Sequence, residues 1–141
     1  MMTAEQKGLR FAAGVTMAFG LALALAAFPP LGAPMILLAD ILVWPLDGAE
    51  TGTAPGMRLI LAIAGGVMAG WGWLIWQLAG AALAKDPDNI RPFIRQSVIL
   101  WFVVDSIASV LASAPLNAVA NLAFLALFLI PMLRGRAAQA A

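Results

Sequence analysis

Four runs of apolar residues, each near the length of a bilayer-crossing helix, constrain this chain more than any other feature. They cover about residues 9–28, 58–84, 93–114 and 116–133, where about 20 apolar residues suffice to cross the hydrocarbon core. Hydrophobic residues make up 63% of the chain and charged residues 11%, against about 45–50% and about 25% in soluble domains. That leaves too little polar surface to cover a soluble globule, so the bilayer is the expected solvent. The expected fold is an all-α integral membrane protein, a single transmembrane domain of 141 residues with four transmembrane helices and one short interfacial helix.

Lys7 and Arg10, at the start of the first run, make a positive n-region, as in a signal peptide. The run is longer than the usual h-region of about 7–15 residues, so it reads as a membrane helix. Pro29-Pro30 is expected to stop it. Within it Gly14, Ala18, Ala22 and Ala26 recur every fourth residue, a ridge of small side chains for helix contact. The connection from Pro29 to Met57 is long for a turn. Residues 34–44 in it read as a short helix between Pro34 and Pro45. Its rise is about 16 Å, half a membrane, which suits an interfacial position with Trp44 at headgroup level.

The second run carries Gly66-x-x-x-Gly70, a close-packing pattern, and the cluster Trp71, Trp73 and Trp76. Trp73 and Trp76 are spaced to share a face while Trp71 points elsewhere. Packing, a partner interface and a pigment or lipid contact are all open readings for the cluster. Arg58 begins this run beside Asp40, Asp47 and Glu50. A salt bridge pinning the short helix, or a docking surface, is expected there. Asp88 is expected to cap the third run, whose start is set by Pro87 and Pro92.

The third and fourth runs are separated only by Pro115 and its neighbours, so they are expected to form a tight antiparallel hairpin. Asp105 lies about 15 Å from Pro115 along the helix, near mid-membrane. A carboxylate there costs roughly 2.5–3.5 kcal/mol on insertion scales and is a functional candidate by default. No Lys or Arg shares its depth; Thr16, Trp71 and Trp73 do. It is either an acid tying helices together or a proton or cation site. Counting across Pro115 sets Ser113 level with Asn117 and Ser109 with Asn121. These pairs read as fasteners of the hairpin or as the polar lining of a path to Asp105.

With four crossings, Lys7, Arg10, Lys85, Arg91, Arg95, Arg134 and Arg136 fall on one side and only Arg58 on the other. The positive-inside rule then puts both termini in the cytoplasm. The chain has no Cys and no His. Thiolate metal sites, disulfides and every His-dependent catalytic arrangement are thereby excluded. Gly65, Gly66 and Gly70 fall within an apolar helix, where glycine means helix contact, and there is no phosphate-binding glycine loop. No cofactor, metal site or enzymatic activity is expected. A net charge of +1 does not suggest nucleic acid.

The segments Trp44-Pro-Leu-Asp-Gly48, Trp101-Phe-Val-Val-Asp-Ser106 and Ala114-Pro-Leu-Asn117 resemble, as a set, a family of small, uncharacterised four-helix bacterial inner-membrane proteins. The resemblance spans most of the chain after Met35 and brings a fold and a location but no activity. The chain does not resemble the small multidrug-resistance transporters, which use a glutamate in their first helix. The expected partners are the lipid bilayer and other integral membrane proteins or further copies of the chain. The expected function is that of a non-catalytic accessory or scaffolding subunit, in an assembly such as a respiratory or photosynthetic complex or in a homo-oligomer. The alternative is a small proton-coupled transporter with Asp105 as the titrating group.

Overall fold

The computed structural model describes residues 1–140; Ala141 and the side chains of Arg136 and of residues 138–140 lie outside the described part. The expectation placed on Arg136 lies outside with them. The helices are α1 (Ala4–Leu25), α2 (Pro29–Val43), α3 (Pro55–Lys85), α4 (Pro87–Leu111) and α5 (Pro115–Ala140). Four of them, α1, α3, α4 and the Pro115–Gly135 part of α5, are long and apolar enough to cross a membrane.

Helix starts follow local chemistry more than hydropathy. Thr3 accepts from the Gln6 backbone N–H, and the Gln6 side chain accepts from the Thr3 N–H. This capping box satisfies two orphan donors and starts α1 at Ala4, ahead of the apolar run. Pro29-Pro30, expected only to stop α1, opens α2 at its first two positions, where the missing N–H costs nothing. The 15 residues of α2 rise about 22 Å, short of the roughly 30 Å hydrocarbon core. The cap of α4 is Asp86, not Asp88: its carboxylate accepts from the Asn89 N–H at 3.3 Å, and Pro87 follows it. Pro92 then lies inside α4 and does not mark its start.

The core gathers at the end of the molecule holding the N-terminus. Leu9, Ala12 and Ala13 of α1 meet Ile75, Ala79 and Leu83 of α3, Ile94 and Val98 of α4, and Phe128 and Met132 of α5. Glycines bring the helices close together here and above. A Cβ at Gly8 would stand 2.6 Å from the Pro131 ring, so Gly8 makes room for that proline. Between α1 and α3 the register is regular. Gly20 faces Gly65 and Ala69, while Gly72 faces Ala13 and Met17. Glycines seven apart on α3 thus meet residues seven apart on α1, the spacing of a left-handed helix pair. The Gly14 ridge expected for this role is displaced: Gly14 faces Trp76 and Ala18 is exposed.

Near its end α3 breaks. Leu78–Ala82 forms a π-helical turn in which Gly80 leaves helical geometry, with φ −87° and ψ −124°. Two α1 side chains fill the break. Gln6 donates to the Gly80 carbonyl at 2.7 Å. Arg10 puts Nη2 2.6 Å from where a Gly80 Cβ would be and lays its guanidinium over the Trp76 ring at 5.2 Å. One turn away, Glu5 of α1 accepts from Arg91 of α4 through both oxygens, at 2.7 and 2.9 Å. Both partners are buried, and Gly135 of α5 leaves the space for the Glu5 carboxylate.

Candidate functional site

The polar stripe forms one cluster centred on Asp105. Three donors converge on a single carboxylate oxygen: Asp105 Oδ1 accepts from Ser109 Oγ at 3.0 Å, Asn117 Nδ2 at 2.9 Å and Asn121 Nδ2 at 2.9 Å. Asn117 also donates to Ser109 Oγ at 2.8 Å, and Asn121 to Ser106 Oγ at 3.3 Å. The expected Ser109–Asn121 and Ser113–Asn117 pairs do not form. The observed register is shifted by one helical turn, and Asp105 takes the partners on α5 that register counting had denied it.

The helix end explains the shift. Helix α4 stops at Leu111. The Ser113 N–H bonds the Val110 carbonyl and the Ala114 N–H bonds the Ser109 carbonyl, at 3.1 and 2.8 Å. With Ser113 at φ 63°, this is a Schellman turn in which Ser113 takes the left-handed position that usually goes to glycine. The pivot between the helices is therefore Ser113, two residues before the proline. Ser113 is exposed in the turn and takes no part in the cluster. The same shift brings Asp105 nearer a helix end: six residues from Leu111, about 9 Å of rise rather than 15.

Asn121 is buried, and Asp105 and Asn117 are half-buried. All three line a cavity of about 860 Å³ bounded by the pair α1 and α3, the pair α4 and α5, and α2. The remaining wall is apolar: Phe19 and Leu23 from α1, Leu38 from α2, Ala64, Val67, Met68 and Trp71 from α3, and Trp101, Ala120 and Phe124 among others from α4 and α5. Aromatic contacts hold its floor, with Trp71 against Trp101 at 5.8 Å and Phe128 at 6.1 Å, and Trp101 against Phe124 at 6.1 Å. Thr16, at first sight a partner of Asp105, bonds its own helix at the Ala12 carbonyl.

A replacement of Asn121 by Leu removes donors to both Asp105 and Ser106. It is expected to lower stability by about 1–2 kcal/mol. Ser113→Ala, outside the cluster, should change it by less than about 0.5 kcal/mol. Reversible unfolding in mixed micelles measures both, and a larger loss for Ser113→Ala would restore the discarded register.

The other singled-out residues fall in three places. Arg58 donates through Nε to the Ala27 carbonyl at 2.6 Å, closing the α1–α2 corner. It makes no ion pair with Asp40, Asp47 or Glu50 among the described residues. Asp40 is buried and accepts twice from the Gly48 N–H, at 3.2 and 3.0 Å, tying down the loop after α2. A carbonyl one helix away is nearer to Arg58 than any acid, and a backbone N–H nearer to Asp40 than any cation. Trp71 points inward, Trp76 faces Gly14 and Arg10 on α1, and Trp73 is exposed, so Trp73 and Trp76 do not share one environment. Gly66 and Gly70 face outward, with nothing within 4 Å of a Cβ placed on either.

Sequence reasoning missed the Glu5–Arg91 pair, whose partners are 86 positions apart. A carboxylate and a guanidinium at the start of two neighbouring apolar runs was the available signal. No group of three or more metal-ligating side chains occurs among the described residues.

Fold and site together describe an all-helical chain with four helices able to span a membrane and one carboxylate-centred cluster on the wall of an apolar cavity. No protein-family model, curated protein or solved structure matches it.

Proposed function

We propose that this chain is a non-catalytic accessory or scaffolding subunit of a bacterial inner-membrane assembly, packed against another integral membrane protein or against copies of itself. In this reading both termini are cytoplasmic, α4 and α5 cross as a tight antiparallel hairpin, and respiratory or photosynthetic complexes are hosts of a fitting kind. The observation that carries it is the division of glycines on α3. Gly65 and Gly72 are used inside the molecule against α1, whereas Gly66 and Gly70 form a second small-residue face with nothing on it. Exposed Ile63, Val67 and Trp73 stand beside it. In lipid, helix association is driven by close packing at such small-residue faces. The lack of His and Cys, and an Asp105 tied to three neutral donors, accord with a role without catalysis.

The reading is tested by gentle extraction of tagged protein. Partners, of its own kind or another, should co-purify with the wild type and be lost from a Gly66→Leu/Gly70→Leu variant. Recovery of the same set with both proteins would sink the assignment of the face. A small proton-coupled carrier is the second reading, favoured by the position of Asp105 on the cavity wall. It requires that Asp105→Asn abolish flux in proteoliposomes, and a wild-type flux in that variant removes it.

A further inference from the structure

We propose that the cavity between the two helix pairs is a binding site for a single-chain amphiphile whose polar end is a primary ammonium group, held by Asp105, Asn117 and Asn121. The cavity shares Val67 with the surroundings of the Gly66–Gly70 face, but the choice of head group uses only the Asp105 cluster and does not rest on what packs on that face.

The hydrogen-bond arithmetic of the cluster selects the head group. An Asn amide has two N–H groups. Those of Asn117 go to Asp105 Oδ1 and Ser109 Oγ, and those of Asn121 to Asp105 Oδ1 and Ser106 Oγ. The Ser109 hydroxyl donates to the same Oδ1. Among the described residues nothing donates to Asp105 Oδ2 or to the two Asn carbonyl oxygens. Asn121 is only 5% exposed as a residue, yet its carbonyl oxygen is not among the fully buried unpaired atoms, so this free acceptor is held in a buried side chain and can still be reached by a bound group. The cluster thus lacks donors. A carboxylate or phosphate head would meet a carboxylate and two acceptors. A hydroxyl would bring one donor and a lone pair that nothing needs. An ammonium brings three donors, no acceptor, and the charge that offsets Asp105.

The rest of the cavity selects the tail. Its volume of about 860 Å³ falls in the range of small-molecule sites, about 300–1,000 Å³. Apart from the cluster, its walls are side chains of Leu, Val, Met, Ala, Phe and Trp. No described Lys or Arg lines it, so no protein cation competes for Asp105. The cluster lies about 9 Å of helix rise from the end of α4, within an apolar helix long enough to cross a membrane.

The test uses full-length protein in phosphatidylcholine nanodiscs, with Trp44, Trp73 and Trp76 replaced by Phe so that only Trp71 and Trp101, both cavity residues, report. Terminally brominated dodecylamine, dodecanol and dodecanoate serve as quenching probes. The amine should quench saturably, with a Kd at least about tenfold below that of the alcohol, equivalent to about 1.4 kcal/mol, and the acid should not saturate. Asp105→Asn should bring the amine to the level of the alcohol. Ala120→Phe, which narrows the cavity and leaves the cluster in place, should abolish saturation by both. Equal affinity for amine and alcohol in the wild type overturns the proposal without recourse to any variant. An amine preference that survives Asp105→Asn overturns it equally.

Discussion

Arg91→Met is expected to cost about 3–5 kcal/mol of stability, the largest loss from any single charged residue among those described. It leaves the buried Glu5 carboxylate without its two guanidinium bonds, and an uncompensated buried charge carries a penalty of that size. The geometry explains why relaxation does not rescue it. Glu5 is held in the first turn of α1 between α4 and the Gly135 backbone of α5, with only 6% of its surface exposed. It cannot turn outward without leaving that turn. Glu5→Leu in the same chain removes the orphan charge as well. The double variant Glu5→Leu/Arg91→Met should therefore recover most of the loss, because an apolar pair of similar volume is often as stable as a buried ion pair. Unfolding of the two single variants and the double variant in mixed micelles measures the cycle. Additive losses would mean that the two side chains are not coupled.

The second large effect contrasts two adjacent glycines. Gly65→Leu should cost about 3 kcal/mol, at the upper end for overpacking, and should separate α1 from α3. A Cβ at Gly65 would overlap the Ala24 backbone nitrogen and stand 2.5 Å from the Gly20 carbonyl oxygen. Both obstacles are backbone, and neither can move without the whole of α1 moving. Gly66→Leu meets nothing within 4 Å and replaces a poor helix former by a good one. Its stability should equal or exceed that of the wild type. The same unfolding measurement decides both. A tolerated Gly65→Leu would mean that the close α1–α3 contact is absent, and a destabilised Gly66→Leu would mean that its face is already covered within the monomer.

What was legible in the sequence was what depends on composition and local order. Four long apolar runs, the prolines between them and the short α2 follow from hydropathy and from where a helix can begin. Asp105 stood out because a carboxylate within an apolar run is expensive. What was not legible depends on three-dimensional register. The step from Leu111 to Pro115 looks like a proline turn, but the Schellman geometry at Ser113 moves the pivot by two residues and every cross-helix pair by a full turn. On α3 the familiar four-residue glycine spacing drew attention to Gly66 and Gly70. The contact with α1 uses instead the seven-residue spacing of Gly65 and Gly72, which has meaning only beside Ala13 and Gly20 on the partner helix. Arg58 and Asp40 show the same limit, since each meets a backbone group that hydropathy and charge counting do not see.

The central claim, that the outward glycine face of α3 is covered by another membrane helix, is tested most directly by the native mass of the protein extracted with its surrounding lipid. The wild type should appear in a species heavier than its own 14.7 kDa, and the Gly66→Leu/Gly70→Leu variant should appear at the mass of one chain while remaining folded. A wild type found only at the mass of one chain, or a heavier species that persists in the variant, would contradict it.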